Sequence, residues 1–241
     1  PQAATGPFDA LLLHVQYVAH LLSFSLMLVA TFIDFDEKTI PDAITIPGAL
    51  LGLVLMAGFP SAAPPVAEKG GRVGHLLLTS PAPWPASLDN RQGLVIGLAC
   101  FAAWCLAVWP RTVTLRRGLG KAVQYALVSM FRFSFWWAFP VILLAGCAGI
   151  VTVWRLGGEH WSSLLTAVVG MAFGGGLIWA VRIVGGGALG KEAMGFGDVT
   201  LMAMIGAFLG WQSTLMVFFM APFVAILICL VQWALTRRRD I

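Results

Sequence analysis

Seven long apolar runs constrain the fold of this chain more than any other feature of its sequence. They lie near residues 9–33, 41–59, 93–109, 134–154, 163–184, 198–211 and 213–235. A helix needs about 20 mainly apolar residues to cross the hydrocarbon core of a bilayer, which is about 30 Å thick. Only 11% of the residues are charged, whereas a soluble domain has about 25%. The sequence therefore predicts an all-α polytopic membrane protein with about seven transmembrane helices, in which the two shortest runs are candidates for re-entrant or protein-buried helices.

We expect a single membrane-embedded domain over residues 1–241, with two segments that are not apolar. Residues 60–91 are rich in Pro, Ala, Gly and Ser, which predicts an irregular external loop. Residues 110–133 are basic and predict a cytoplasmic loop. Lys38 and the basic residues 237–239 fall on the same membrane side as this loop. Because positive charge marks the inner side of a membrane protein, we expect this side to face the cytoplasm.

Five tryptophans lie near the ends of apolar runs: Trp136, Trp137, Trp154, Trp161 and Trp211. An indole ring combines an apolar body with an N–H donor, and it is enriched at membrane–water interfaces. We therefore expect these side chains to anchor helices at the two membrane surfaces.

Acidic residues concentrate on the predicted cytoplasmic side. The stretch "FIDFDEKTIPD" at 32–42, between the first two apolar runs, contains Asp34, Asp36, Glu37 and Asp42, while Glu192 and Asp198 precede the sixth run. Ionisable groups at the edge of a hydrocarbon layer are costly, and they usually line a pathway or a reaction centre. This asymmetry predicts a functional site on that side.

Asp34 and Asp198 differ from the other acids because each adjoins an apolar run directly. Asp34 follows "LMLVATFI", and Asp198 opens an apolar helix just after Gly195 and Gly197. The glycines allow positive φ angles and close approach of another segment. Two carboxylates in a partly dry site share one proton, so one acts as a base toward water while the other donates to a carbonyl oxygen. The pair therefore predicts aspartyl-protease chemistry.

Two segments of the chain, "IDFDEKTIPDAITIPG" and "GKEAMGFGDVTLMAMIGAFLGW", resemble the signature segments of type IV prepilin peptidases, the bacterial branch of the GxGD membrane aspartyl proteases. The resemblance implies that Asp34 and Asp198 are the catalytic pair and that the peptidase needs no metal or other cofactor. It implies cleavage of type IV prepilins and type II secretion pseudopilins at the cytoplasmic face of the bacterial inner membrane. Many members also N-methylate the product with S-adenosylmethionine, and the resemblance leaves this second activity open. Substrate and membrane lipid are the expected partners, with no nucleic acid.

The resemblance covers residues 20–60 and 163–235, so the region 61–162 is predicted to be an insertion. It comprises the external loop, two additional apolar helices and the basic loop. The chain begins without Met and lacks the N-terminal domain with paired CxxC motifs that many members have. We therefore expect it to be a fragment or a processed product.

The acids around the pair have a candidate role in substrate binding. A prepilin leader is basic, and a local negative field would steer it toward Asp34. The candidate substrate-binding residues are Asp36, Glu37, Asp42, Gly195, Gly197, Lys191 and Glu192. The alternative for the acids is that they are ordinary solvated charges, which contribute little energy.

Two other functions remain open from the residues alone. Asp34, Asp36 and Asp42 have a spacing that would suit a divalent cation, which would fit a Mg²⁺-dependent membrane transferase of isoprenoid or lipid diphosphates. Alternatively, Asp34 and Asp198 would be proton-relay groups of a transporter with discontinuous helices. Cleavage of a prepilin in the presence of a chelator, and its loss on changing either aspartate, would separate these functions from a peptidase.

Overall fold

The computed structural model describes residues 7–67, 73–108, 138–190 and 194–237. Six α-helices lie in these ranges: α1 (Pro7–Glu37), α2 (Asp42–Gly58), α3 (Arg91–Val108), α4 (Ala138–Leu156), α5 (Gly158–Leu189) and α6 (Phe196–Arg237). The predicted basic loop at 110–133 lies outside the described residues.

Four of the described helices are long and apolar enough to cross a membrane. They contain the spans Leu13–Glu37, Arg91–Val108, Gly158–Ala188 and Phe196–Leu235, and α2 and α4 contain shorter apolar stretches. The prediction of an all-α polytopic membrane protein is thereby confirmed. The two apolar runs predicted at 198–211 and 213–235 form one element, α6, which is broken at Gly210 by a non-helical backbone conformation with φ 73° and ψ 173°.

Helices α5 and α6 form the centre of the bundle because glycines let their backbones touch. A Cβ atom at Gly170 would collide with the carbonyl oxygen of Gly206, and one at Gly206 would collide with the carbonyl oxygen of Gly170. Around this contact lies a core in which Leu165, Met171 and Met204 are fully buried. Small residues at helix contacts are typical of membrane proteins, where close van der Waals packing takes the place of the hydrophobic effect.

The predicted external loop contains short elements and closes one end of the bundle. Its strands β1 (Pro65–Ala67) and β2 (Val73–His75) pair antiparallel. We call residues 76–89 the cap. The side chain of Gln212, just after the break in α6, donates hydrogen bonds to the carbonyl oxygens of Leu77 at 2.9 Å and Leu78 at 3.1 Å. Donors from the helices below thus pair with backbone carbonyls of the cap that would otherwise need water.

Three of the tryptophans bind the loop segment by their indole N–H groups. Trp161 donates to the carbonyl oxygen of Leu88 at 2.7 Å, Trp154 to that of Asp89, and Trp211 to that of Leu78. Trp161 is only 1% exposed. The predicted anchoring at the membrane surface is therefore wrong for Trp161, whose indole is buried beneath the cap. Trp136 and Trp137 lie outside the described residues.

Candidate active site

Asp34 lies in the last turn of α1, at the end of the bundle opposite the cap, and its side chain is exposed. The backbone N–H of Lys38 donates to the carbonyl oxygen of Asp34 at 2.8 Å. Lys38 has a left-handed conformation with φ 54°. A left-handed residue after the last helical turn is a common way to end a helix, and here it turns the chain from α1 toward α2.

Asp198 lies in the first turn of α6 and is half-buried. Its Oδ2 accepts a hydrogen bond from the backbone N–H of Gly195, the residue before the helix, at 3.1 Å. An acidic side chain in the first turn that reaches back to the N–H before the helix is one half of a capping box, which satisfies a donor that the helix leaves free. The local sequence thus fixes the direction of the Asp198 carboxylate.

The fold brings these two aspartates from different helices to the same end of the bundle. Asp34 is near enough to Asp198 for the two carboxylates to interact electrostatically. Two carboxylates that lie together in a partly dry site can divide the roles of acid and base between them. This arrangement can perform the acid and base steps that the sequence predicts.

Gly197 is where the segment before Asp198 meets the turn after Asp34. A Cβ atom at position 197 would lie 2.7 Å from the Cβ atom of Ile40 and 3.0 Å from its carbonyl oxygen, which is closer than real contacts of a side chain. The expected close approach at this glycine is therefore observed. The two glycines do not use their freedom to adopt a positive φ, because neither Gly195 nor Gly197 is among the described glycines that have one.

Two buried threonines also lie at this contact. Thr45 Oγ1 of α2 donates to Thr200 Oγ1 of α6 at 3.0 Å. The Oγ1 atom of Thr200 in turn lies 3.4 Å from Oδ1 of Asp42, which can accept its hydrogen bond. Nothing in the sequence distinguishes Thr45 and Thr200 from other threonines in apolar runs, so their role becomes visible only in three dimensions.

The candidate substrate-binding residues other than Gly197 divide into three groups. Asp36 and Glu37 are exposed, as a docking surface for a basic segment would require, and so is Gly195. Asp42 is half-buried and faces Thr200, so its carboxylate is engaged at the helix contact. Lys191 and Glu192 lie outside the described residues.

A cavity of about 470 Å³ opens beside the Asp198 turn, between α3, α5 and α6. Its lining includes Trp104, Met171, Trp179, Phe196 and Val199, and none of the described residues that line it is charged. The indole N–H of Trp104 is buried without a hydrogen-bond partner in the described part of the chain.

The lining of this cavity, as far as the structure describes it, does not fit S-adenosylmethionine. That molecule carries charged methionine and sulfonium groups and a polar ribose, which need several hydrogen-bonding or acidic side chains. The polar side-chain groups in the lining are the hydroxyl of Thr200 and the indole N–H groups of Trp104 and Trp179, and none of them is an acceptor carboxylate. Within the described ranges, no three His, Cys, Asp or Glu side chains gather as ligands for a metal ion.

Comparison with known proteins points to one family. Residues 147–230 match the sequence model of the type IV leader peptidase family. This match includes Asp198 but not Asp34, and it begins within the predicted insertion. No solved structure gives a significant match to the chain.

Two curated relatives carry the name prepilin leader peptidase/N-methyltransferase. The protein from Pectobacterium carotovorum subsp. carotovorum is 37% identical over 78 residues, which are 32% of this chain and 28% of the relative. The protein from Klebsiella pneumoniae is 48% identical over 50 residues, 21% of this chain and 22% of the relative. The chain thus matches less than a third of the length of each relative. The resemblance to the type IV prepilin peptidase family is confirmed by these matches, and the family model covers the part of the chain that carries Asp198.

Proposed function

We propose that this chain is the catalytic membrane region of an aspartyl endopeptidase that removes the basic leader of type IV prepilins and type II secretion pseudopilins. The observation that carries the proposal is the close contact between Gly197, the residue before Asp198, and Ile40, in the turn after Asp34, which holds the two aspartates at the same end of the bundle. Both relatives are named as prepilin leader peptidases, which supports prepilins as the substrate class.

The chemistry needs one proton shared by the two carboxylates. The ionised carboxylate takes a proton from a water molecule, whose oxygen attacks the carbonyl carbon of the scissile peptide bond. The protonated carboxyl group donates to the carbonyl oxygen, so that a neutral tetrahedral intermediate forms. Its collapse breaks the C–N bond as one carboxyl group gives its proton to the leaving amine. The other carboxylate takes a proton from a hydroxyl group of the intermediate, which becomes the new carboxyl group of the product, so the pair again holds one proton.

The surroundings of the pair suit a substrate that is basic on one side of the cleaved bond and apolar on the other. Exposed Asp36 and Glu37 adjoin Asp34 and provide negative charge for the leader. The apolar cavity adjoins Asp198. We propose that it receives the first apolar residues after the cleaved bond. The basic residues predicted on this side support a site at the cytoplasmic face of the inner membrane.

The proposal is limited to the peptidase activity. N-methyltransferase is part of the printed name of both relatives, but the described cavity beside Asp198 does not fit S-adenosylmethionine. No methyl-transfer step is therefore assigned to the described residues.

The test is cleavage of a synthetic prepilin peptide, with a basic leader, a Gly-Phe junction and an apolar segment, by the purified chain in detergent. We expect cleavage by the wild type with and without a chelator, and loss of cleavage in Asp34→Asn and in Asp198→Asn. Asp36→Asn is the matched control, since it makes the same change in the same acidic stretch. This variant should keep the wild-type kcat.

Three outcomes would contradict the proposal. Full activity in either dyad variant would remove that aspartate from the catalytic pair. Loss of cleavage on adding a chelator would favour a metal-dependent enzyme. An inactive wild type would refute the proposal for this chain.

A further inference from the structure

A direct side-chain link joins the helix that carries Asp198 to helix α2. Thr45 lies in the first turn of α2, and Thr200 lies near the start of α6, two positions after Asp198. Their hydroxyl groups are 3.0 Å apart. Both side chains are buried, with 0% exposure for Thr45 and 1% for Thr200. The link therefore lies inside the contact between the two segments that meet at the candidate site.

The hydroxyl of Thr200 also restrains the backbone next to Asp198. Since Thr200 accepts the proton of Thr45, its own proton is available to a second acceptor. The carbonyl oxygen of Gly197 lies at 3.0 Å, and Oδ1 of Asp42 lies at 3.4 Å. The nearer acceptor belongs to the peptide group that joins Gly197 to Asp198. Holding this peptide holds the base of the Asp198 side chain.

Packing alone does not account for two hydroxyl groups at this position. Replacing both partners of a buried hydrogen bond by apolar groups of the same shape is often nearly neutral for stability. Two valines would therefore fill the space between α2 and α6 about as well. What the hydroxyl groups add is direction, because a hydrogen bond favours one distance and one angle, and an apolar contact does not.

We propose that Thr45 and Thr200 are positioning residues for Asp198, which set the place of its carboxylate relative to Asp34 through the chain Thr45–Thr200–Gly197. Neither threonine touches the reacting atoms. This inference rests on the proposed peptidase function, and it extends the function to two residues outside the acidic pair. A displacement of about 1 Å between reacting groups costs about 100-fold in rate, so a modest shift has a measurable effect.

The main test compares Thr200→Val with Thr200→Ser in cleavage of the prepilin peptide. Valine keeps the shape and removes the hydroxyl, and we expect kcat to fall by about tenfold to 100-fold. KM should change far less than kcat, because Thr200 lines the apolar cavity with a side chain that is only 1% exposed and valine has the same shape. Serine keeps the hydroxyl and should retain most of kcat. The pH profile of kcat in Thr200→Val should also change shape, because the interval between its two limbs depends on the coupling of the two carboxylates.

The double variant Thr45→Val/Thr200→Val separates positioning from folding. We expect it to unfold at nearly the wild-type temperature, because no unpaired hydroxyl remains, and yet to show the low kcat of Thr200→Val. Thr214→Val is the matched control. Thr214 is also fully buried in α6 and donates to a backbone carbonyl of its own helix, that of Gly210 at 2.7 Å. Thr214 lies beyond the break in α6 at Gly210. The kcat of Thr214→Val should therefore remain at the wild-type level.

The outcomes distinguish this inference from the function on which it rests. Wild-type cleavage with an unchanged kcat in the folded double variant would overturn the inference and leave the peptidase intact. An equal loss of kcat in Thr214→Val would also overturn the inference. So would a pH profile of Thr200→Val in which kcat is lower at every pH, the shape is unchanged, and the loss is proportional to the loss of folded protein. If the wild type does not cleave the peptide, the proposed function and the inference both fall.

Discussion

Replacing Gly197 by alanine should cost about 100-fold in kcat with a smaller effect on folding. The added Cβ atom would lie 2.7 Å from the Cβ atom of Ile40, whereas carbon atoms in contact lie about 3.5–4.0 Å apart. The segment before Asp198 must therefore move away from the turn after Asp34 by about 1 Å. Because Asp198 is the next residue, this movement separates the two carboxylates. A 100-fold loss corresponds to about 2.7 kcal/mol in the activation free energy.

Gly195→Ala is the matched comparison. A Cβ atom at Gly195 would lie 3.5 Å from Oδ2 of Asp198, an ordinary van der Waals distance, and the residue is exposed. We expect kcat to change by no more than about twofold, because substitutions at the surface usually have small energetic effects. Both variants are assayed by steady-state cleavage of the prepilin peptide, with thermal unfolding in the same detergent as the check on folding.

A second-site change tests the steric reason directly. Ile40→Gly in the Gly197→Ala background removes the Cβ atom that the new methyl group would meet, although the carbonyl oxygen of Ile40 remains 3.0 Å away. We expect part of kcat to return. Equal losses in Gly195→Ala and Gly197→Ala, or no recovery in the double variant, would refute the reasoning from close packing.

Three further predictions concern the surroundings of the pair. Glu37→Lys should raise KM for a basic leader several-fold at low salt and leave kcat unchanged, because the exposed carboxylate attracts the leader. Gly176→Leu should raise KM for substrates with an apolar segment, because Gly176 lines the cavity and a Cβ atom there meets nothing within 4 Å. Trp161→Phe should lower the free energy of unfolding by about 1–3 kcal/mol, measured by denaturant unfolding, because the carbonyl oxygen of Leu88 loses the donor it has at 2.7 Å.

Each of these predictions has a control or a contradicting result. Glu159→Lys makes the same change of charge on an exposed residue at the cap end of the bundle, and an equal rise of KM there would mean that Glu37 has no local role. An unchanged KM in Gly176→Leu would remove the apolar segment from the cavity. A large loss of kcat in folded Trp161→Phe would mean that the cap acts on the site and does more than hold the bundle together.

Much of the candidate site was visible in the sequence because its two carboxylates adjoin apolar runs. A charge beside hydrocarbon is costly wherever the chain folds, so Asp34 and Asp198 stand out without a structure. The role of Gly197 was visible only in part. Its lack of a side chain suggested close approach, but the identity of its neighbour, Ile40, depends on how two distant segments pack.

The role of Trp161, by contrast, could not be predicted from the sequence. An indole near the end of an apolar run predicts interfacial anchoring, because lipid head groups and water are the usual partners of its N–H. Trp161 instead donates to Leu88 and is buried. The loop predicted from its Pro and Gly content to be irregular folds back and supplies the acceptor. Local composition carries no information about such a partner.

Helical structure and membrane insertion follow from local properties of this chain. Long runs of apolar residues must satisfy their backbone hydrogen bonds internally in lipid, and a helix does so without reference to any other segment. The contact of Thr45 with Thr200, the engagement of Asp42 and the apolar cavity beside Asp198 were decided only when the helices packed. Thr45 and Thr200 are 155 positions apart, and a contact over such a separation depends on the geometry of every helix between them.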